Sequence, residues 1–360
     1  GFDFGSKPTA AAVTDDTTVK EKTEEAEEAK EEKYASSDSK ADLLVSIQEV
    51  HLETLSLSSP SVINEKNSVD KSVAEKFNLP KPLKLVTSGI RGIVDCTVAS
   101  DIVLEWTKLL DLKKSELIMI TGNNDLSGFS LCSTIVLSNK SYQPDAAEVI
   151  CQFIEKHSLD SHIKVLDMSD VIASQPESEG LQVLKRLSSS FTNGSIEELD
   201  LSENAMGSKG ITACRPLLSL PSLRSLKLCN NGLSETSMME VSEILSTSGV
   251  CGNLKQIHFY NNMSGDGGCQ AFADIIRLCS QELVDIRFSS TRASREGSLI
   301  IAKALQGLIS GHGVEIERLD LADNSFGIES TRELCQLLKC CSKLQYLDLR
   351  DCLLGDDGFK

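Results

Sequence analysis

The feature that most constrains this chain is a nine-residue pattern, L-x-x-L-x-L-x-x-N, that recurs at a nearly constant period. Its clearest copies begin at Ile196, Leu223, Leu254, Leu283, Ile316 and Leu344, and two weaker copies begin at Cys132 and Ile163. Successive first positions are separated by 31, 33, 27, 31, 29, 33 and 28 residues. A period of this length is typical of a solenoid in which every repeat holds one strand and one helix.

Each copy predicts a short strand whose Leu side chains point inward, and its Asn is placed to satisfy backbone groups where the chain leaves the strand. A Gly-containing turn follows, and apolar residues three and four apart then predict an amphipathic helix, as at residues 271–278 and 298–308. One repeat cannot bury its apolar face alone, so neighbouring repeats must stack. The sequence therefore predicts an α/β leucine-rich repeat solenoid, a horseshoe of strand–helix repeats with a parallel sheet on its concave side.

Three regions follow from this pattern. Residues 1–41 are predicted to be an acidic, low-complexity, disordered tail, because residues 21–33 are nearly all Glu and Lys and have almost nothing to bury. Residues 42–130 carry no repeat; within them a segment around Leu52 and residues 117–120 are interpreted as strands, and residues 103–112 as a helix. Residues 131–360 form the repeat domain. Only GDDGFK follows the last copy, so we expect the native array to continue past Lys360.

The composition limits the classes of partner. The chain has 53 acidic residues against 36 Lys and Arg and a formal net charge of −17, which argues against nucleic acid and favours a basic protein surface. No apolar stretch is long enough to predict insertion into a membrane. The 12 cysteines form no C-x-x-C pair, and this predicts reduced, buried thiols in an intracellular protein. The cysteines with apolar sequence neighbours are Cys151, Cys214, Cys279, Cys335, Cys340 and Cys341.

No residues are spaced for independent catalysis. The five His residues lack metal-ligand or nucleophile–base spacing with Cys, Asp or Glu. Phosphate-binding and nucleophile-elbow motifs are absent from the sequence, and the recurring glycines are explained as turns of the repeat. We therefore expect no metal, no cofactor and no small-molecule substrate.

The variable positions of the repeat stand on the outward face of the predicted sheet, and acids dominate them. Two interpretations of this row remain open: a hydrophilic face kept in contact with water, or a negative surface that steers a basic partner. The candidate partner-binding residues are Glu198, Asp200, Glu203, Asp285, Asp320, Asp323, Asp348 and Asp351, with Arg292 just past a strand.

Five segments carry a more specific resemblance: LDLSENAMGSKGI, LKLCNNGLSE, FYNNMSGDGG, RFSSTRASREG and LDLADNSFGIES. In order and spacing they resemble the leucine-rich repeat domain of the GTPase-activating proteins for the small GTPase Ran, most closely the plant type. The resemblance implies a regulator of nucleocytoplasmic transport, cytoplasmic or at the nuclear envelope, that binds Ran in its GTP state. Such a regulator is not itself an enzyme, because the partner GTPase carries the chemistry.

The resemblance also implies site residues. Members of this family act mainly by positioning, with an Asn beside the Gln of the GTPase, and residue matching puts that Asn at Asn230, or alternatively at Asn231, whose other role is structural. A family Arg in an A-G-R-P-E segment is matched here by Gln175 in ASQPESE. An amide lacks the forked, permanently charged donors of a guanidinium. The alternative function is therefore a non-catalytic interaction scaffold that has lost GTPase activation.

Overall fold

The computed structural model describes residues 79–192 and 194–358. The predicted tail, residues 1–41, and the strand interpreted around Leu52 lie outside the described residues. Of the described residues, 79–87, 91–192 and 194–358 belong to one compact unit.

Parallel strands form the main sheet of this unit. In chain order the strands are β1 (Leu83–Val86), β2 (Ile93–Val94), β3 (Cys132–Val136), β4 (Ser141–Tyr142), β5 (Val165–Asp167), β6 (Glu198–Asp200), β7 (Ser225–Lys227), β8 (Gln256–Tyr260), β9 (Asp285–Ser289), β10 (Arg318–Asp320) and β11 (Tyr346–Asp348). Within the described residues, nine of them form one sheet in the order β1-β3-β5-β6-β7-β8-β9-β10-β11, while β2 pairs with β4. Every pairing is parallel.

A helix separates each strand of the main sheet from the next. The helices are α1 (Cys96–Thr121), α2 (Pro144–Lys156), α3 (Glu177–Ser189), α4 (Gly207–Leu218), α5 (Glu235–Thr247), α6 (Gly265–Leu278), α7 (Arg295–His312), α8 (Gly327–Cys340) and α9 (Gly355–Gly358), with short 3₁₀ turns at Leu159–Ser161 and Val250–Asn253. This alternation of parallel strands and helices confirms the predicted leucine-rich repeat solenoid.

The first described repeat begins earlier than the sequence pattern indicated. Strand β1 pairs with β3, so the sheet of the described residues includes Leu83–Val86, ahead of residue 131. The segment LKLV lacks the Asn that marks the later copies, and α1 is longer than any other helix described here. Residues 103–112 are helical as predicted, but the strand interpretation of residues 117–120 was wrong, because these residues complete α1. A four-residue apolar run fits a helix as well as a strand.

The core consists of the inward Leu and Ile of each strand and the apolar faces of the helices. The central inward residues of β5 to β10 are at most 1% exposed, and each contributes about 2 kcal/mol relative to an exposed side chain. They are Leu166, Leu199, Leu226, Ile257, Ile286 and Leu319. The equivalent Leu347, on the edge strand β11, is 41% exposed.

A ladder of buried Asn side chains joins the repeats where the strands end. The Asn204 amide donates to the carbonyl oxygen of Met168 at 2.8 Å, and its Oδ1 accepts from the backbone N–H of Val171 at 2.9 Å. Each Asn therefore satisfies backbone groups of the preceding repeat, as the sequence pattern predicted. The ladder residues are Asn204, Asn231, Asn262 and Asn324.

The burial of each cysteine depends on the helix face that it occupies and not on whether its sequence neighbours are apolar. Cys151, Cys214, Cys279 and Cys341 are buried, whereas Cys335 and Cys340, also predicted to be buried, are exposed. The buried side of α8 is formed by other residues, including Leu334 and Leu337, and Cys335 and Cys340 lie on the exposed side of the helix. Burial raises the pKa of the Cys214 thiol to about 12.

Candidate functional site on the rim and open face of the sheet

The turns that follow the strands lie at one edge of the sheet, since the carboxyl ends of parallel strands meet there. In each repeat from β3 onward the residue just before the ladder position, here called the rim residue, has a left-handed backbone with φ between 50° and 64°. The rim residues are Asn139, Asp170, Glu203, Asn230, Asn261, Ser290, Asp323 and Asp351.

A backbone hydrogen bond to the next repeat fixes the rim residues. The N–H of Glu203 donates to the carbonyl oxygen of Cys229 at 2.9 Å, and that of Asn230 donates to Tyr260 at 2.7 Å. These bonds form a second ladder beside the buried Asn ladder. The rim side chains are thereby held on a defined backbone, and that of Asn230 is exposed.

Asn230 and Asn231, the two candidates for the family Asn, have different surroundings. Asn231 is buried; its Oδ1 accepts from the backbone N–H of Asn204 at 2.9 Å and its amide donates to the Leu201 carbonyl at 3.0 Å. Asn230 is exposed on the rim, where its Nδ2 donates to Glu203 and its Oδ1 accepts from Nδ2 of Asn261 at 2.8 Å. Asn231 therefore holds the repeats together, while Asn230 is accessible to a partner.

Gln175 lies in the turn between β5 and α3, at the same edge of the sheet as Asn230. It is half-buried, and its Nε2 donates to the hydroxyl of Ser141 at 3.2 Å. Its backbone N–H donates to the carbonyl oxygen of Ile172. Strand β6 separates β5 from β7 in the sheet, so the turns of Gln175 and Asn230 are two repeats apart. That Gln175 occupies the position of the family Arg stays a prediction.

The side chains that alternate with the buried Leu and Ile form the open face of the sheet. We call strands β5–β7 its amino half. Glu198 is exposed there, and Asp200 lies 3.4 Å from the Nζ of Lys227, with both side chains partly exposed. The Asp170 carboxylate contacts Arg91 at 2.8 Å. Carboxylates of the amino half therefore reach solvent.

We call strands β8–β11 the carboxyl half, and its acids have closer partners. Asp285 accepts from Nε2 of His258 at 2.7 Å and from Nε2 of Gln256 at 2.5 Å, with Nε of Arg318 at 3.7 Å. Burial acts to raise the pKa of Asp285, but the hydrogen bonds from His258 and Gln256 outweigh it and hold the pKa below the usual Asp value.

Arg side chains cover the other two acids of the carboxyl half. Asp320 contacts Nε of Arg287 at 2.9 Å, and the Arg287 guanidinium lies 3.8 Å from the centre of the Tyr260 ring. Asp348 contacts Arg350 at 2.6 Å, and these hydrogen bonds lower the pKa of Asp348 to about 2. Asp320 is 2% exposed and Asp348 is 5% exposed. These two carboxylates are thus occupied within the protein instead of facing a partner.

The remaining candidates lie on the rim or next to it. Asp323 and Asp351 are exposed rim residues, and Arg292 is exposed one position past the ladder, also with a left-handed backbone. The sequence reasoning missed Asn261, Tyr260 and the pairing of the buried acids with Arg. Comparing the same strand position in successive repeats would have found the Arg287–Asp320 pair, because residues in register on paired strands are neighbours.

Two absences apply to the described part of the chain. Residues 79–192 and 194–358 contain no group of three or more His, Cys, Asp or Glu side chains placed to hold a metal ion. Over the same ranges, no helix combines the length and apolar character needed to cross a bilayer.

Comparison with known proteins supports the resemblance stated above. No protein-family model matches the chain. RAN GTPase-activating protein 1 of Arabidopsis thaliana is 36% identical over 85 residues, which cover 24% of this chain and 16% of that protein. RAN GTPase-activating protein 2 of the same plant is 39% identical over 93 residues, covering 26% of this chain and 17% of that protein. The chain thus matches about a sixth of the length of these relatives.

A longer match concerns the fold. Ribonuclease inhibitor of Mus musculus is 25% identical over 241 residues, which cover 62% of this chain and 46% of that protein. Together with the strand–helix alternation, this similarity agrees with the repeat architecture. The chain is a leucine-rich repeat protein with sequence similarity, over about a quarter of its length, to the RAN GTPase-activating proteins of Arabidopsis thaliana.

Proposed function

We propose that this protein is a GTPase-activating protein for Ran or a close relative of Ran, and that it acts in nucleocytoplasmic transport. One observation carries the proposal: Asn230, the residue matched to the family Asn, is exposed on the rim with its amide held between Glu203 and Asn261. Its neighbour Asn231 is used within the structure. The similarity to the two plant proteins supports the choice of GTPase.

The proposed mechanism requires no chemistry on this chain. A small GTPase hydrolyses GTP slowly on its own, and an activator can supply transition-state charge or order the residue that orients the attacking water. An exposed amide with a fixed orientation can hydrogen-bond the water-positioning Gln of the GTPase. The GTPase holds the nucleotide, so this chain needs neither a cofactor nor a small-molecule substrate of its own.

The open face would provide the docking surface. Glu198 and Asp200 lie on β6 in the amino half and reach solvent, whereas Asp320 and Asp348 do not. Exposed carboxylates attract a basic protein surface and raise its association rate. A location in the cytoplasm or at the nuclear envelope belongs to this proposal, and it rests on the family resemblance and on the reduced thiols predicted from the sequence.

Single-turnover GTP hydrolysis by GTP-loaded Ran tests the proposal. We expect the parent chain to accelerate hydrolysis by several orders of magnitude and Asn230→Ala to lose about a hundredfold or more of that acceleration. Asn139→Ala is the matched control, since Asn139 has the same rim position and left-handed backbone and an Ala there carries the same backbone strain. Equal loss in both variants, or no acceleration by the parent, would contradict the proposal.

An interaction scaffold without GTPase activation is the second candidate, and one observation favours it. Gln175 provides an uncharged amide that is hydrogen-bonded to Ser141, where the family resemblance implies an Arg. If the parent binds Ran·GTP without accelerating hydrolysis and Gln175→Arg restores acceleration, the scaffold is the better description. Binding and acceleration by the parent itself would exclude the scaffold.

A further inference from the structure

The rim holds an exposed row of three hydrogen-bonded side chains, Glu203, Asn230 and Asn261. Nδ2 of Asn230 donates to Oε2 of Glu203, and Oδ1 of Asn230 accepts from Nδ2 of Asn261 at 2.8 Å. Both ends of the Asn230 amide are therefore engaged by neighbouring repeats. We propose that Glu203 and Asn261 are positioning residues that fix the orientation of the Asn230 amide, an inference that rests on the proposed function.

The hydrogen-bonding chemistry of Glu203 and Asn261 permits one orientation of the Asn230 amide. An ionised carboxylate only accepts hydrogen bonds, so Glu203 requires the NH₂ end of Asn230. The oxygen of Asn230 then faces Asn261, whose NH₂ group is the donor that it needs. The oxygen and nitrogen of an Asn are otherwise hard to tell apart, and here the neighbouring carboxylate decides between them.

The backbone beneath the row is as well defined as its side chains. The three residues follow β6, β7 and β8, which are consecutive in the sheet. All three have left-handed backbones, and their N–H groups donate to the carbonyl oxygens of the next repeat. Adjacent strands are about 4.8 Å apart, so equivalent side chains are within hydrogen-bonding reach. The row follows from the repeat geometry together with the residue types at these positions.

Glu203 is an unexpected residue for its backbone conformation. Its φ is 64°, a region that Asn, Asp and Gly adopt more readily than Glu. Asn230 and Asn261 suit this conformation, and an Asn at 203 would suit it as well. An Asn side chain is one methylene shorter than Glu and carries no charge. The longer carboxylate at 203 is what provides an obligatory acceptor for Asn230.

The row leaves Asn230 with capacity for a partner. The amide nitrogen carries two hydrogens and the bond to Glu203 uses one, while the oxygen accepts one bond and has a second lone pair. A donor and an acceptor of Asn230 thus remain, in directions set by the two neighbours. An amide that is already oriented loses less conformational entropy in the transition state than an amide that rotates freely.

The experiment separates positioning from binding. Asn261→Asp replaces the donor with an acceptor of the same shape, Glu203→Met removes the acceptor at similar length, and Glu203→Gln keeps a carbonyl that can still accept. We expect the first two to lower the maximal Ran·GTP hydrolysis rate about tenfold while changing the Kd for Ran·GTP less than about threefold, and Glu203→Gln to retain most of the rate. Ser290→Asp is the control for added charge on the next rim position.

A Ran-independent readout keeps the inference testable if the proposed function fails. The side-chain amide NMR signals of Asn230, assigned by their loss in Asn230→Gly, should shift in Asn261→Asp and in Glu203→Met and stay unchanged in Ser290→Asp. Unchanged Asn230 signals in the first two variants would overturn the inference, as would parental hydrolysis rates or a loss confined to Kd. Shifted signals in a chain that never accelerates hydrolysis would instead support the oriented row and reject the activator.

Discussion

The two halves of the open face use the same residue type in different ways. Asp200 in the amino half and Asp320 in the carboxyl half occupy the same repeat position, and in each an Oδ1 accepts from the backbone N–H two residues on. Asp200 faces Lys227 at 3.4 Å and remains partly exposed, whereas Asp320 is covered by Arg287 at 2.9 Å. A carboxylate at this repeat position therefore stays partly exposed or is buried according to the charged residue that it meets in a neighbouring repeat.

Strands β9 and β10 of the carboxyl half each carry an Arg, whereas strands β5–β7 of the amino half carry none. A guanidinium presents donors in a plane and can stack on an aromatic ring while it pairs with a carboxylate, which an ammonium group does less well. Arg287 pairs with Asp320 and lies over Tyr260, and Arg318 lies over Tyr346. In the amino half the charge partner of Asp200 is Lys227, which lies in the following repeat instead of the preceding one, and Asp200 stays partly exposed.

The largest expected difference between the halves concerns stability. Asp320→Asn keeps the bond to the backbone but leaves Arg287 without its charge partner, and we expect a loss of about 2 to 3 kcal/mol. Asp200→Asn is the matched variant, and we expect a loss below about 1 kcal/mol because its ion pair is exposed. Urea unfolding of both variants measures this. Equal shifts in the two midpoints would show that the halves do not differ as described.

The association rate with Ran·GTP should depend more on acids of the amino half than on acids of the carboxyl half. Glu198→Lys changes an exposed acid in the amino half, and we expect the association rate with Ran·GTP to fall about tenfold at low salt and less at high salt. Glu317→Lys makes the same charge change at an exposed site beside β10, and we expect less than about a twofold effect. Stopped-flow association at several salt concentrations measures both rates. Similar losses would mean that net charge, and not the amino half, governs encounter.

Acid should affect the carboxyl half through Asp285. The pKa of Asp285 in the folded chain lies below the usual Asp value, so between the two pKa values the unfolded chain binds more protons than the folded chain. Stability therefore falls as the pH drops from the unfolded pKa through the folded pKa. The contribution is complete above the unfolded pKa of about 3.9, and its slope cannot exceed about 1.4 kcal/mol per pH unit.

The Asp285→Asn variant tests this sign. We expect the stability gap between parent and variant to shrink as urea midpoints are measured from about pH 5 down to about pH 3. Ser225→Ala removes only the hydroxyl that donates to Gln256, and its gap to the parent should stay constant. A constant gap for Asp285→Asn would contradict the predicted linkage.

The smallest expected effect is that of the aromatic ring under Arg287. Tyr260→Leu removes the ring face that lies 3.8 Å from the guanidinium, and we expect a loss of about 0.5 to 1 kcal/mol. Tyr260→Phe keeps the face and should retain the parental urea midpoint. If Phe and Leu lower the midpoint alike, the hydroxyl or the packing volume matters and the stacking does not.

Much of the fold could be predicted from periodicity alone. The inward residues at a fixed spacing specify strand, turn and helix in every repeat from Cys132 onward, and the sheet follows because no repeat can bury its face alone. Periodicity did not predict strand β1, because LKLV is not followed by a ladder Asn and the long helix α1 makes this repeat longer than the others. Residues 117–120 were misassigned because a short apolar run carries no period of its own.

The site could be predicted only in part. Residue matching selected Asn230 but could not separate it from Asn231, because burial distinguishes the two and burial is set by the neighbouring repeats. The outward positions of the acids were also deducible from the pattern. Their partners were not considered, since Arg287 and Asp320 lie in different repeats and meet only through the register of β9 and β10.

The left-handed rim has a consequence for how this protein can acquire new partners. The rim residues from Asn139 to Asp323 are anchored through their backbone N–H groups, so their side chains are not needed to hold this edge in place. A substitution at one rim position by Asn, Asp or Gly leaves the backbone of the neighbouring repeats in place. The recognition properties of this edge can therefore change one repeat at a time, and a rim assembled from separate substitutions can evolve faster than the solenoid that carries it.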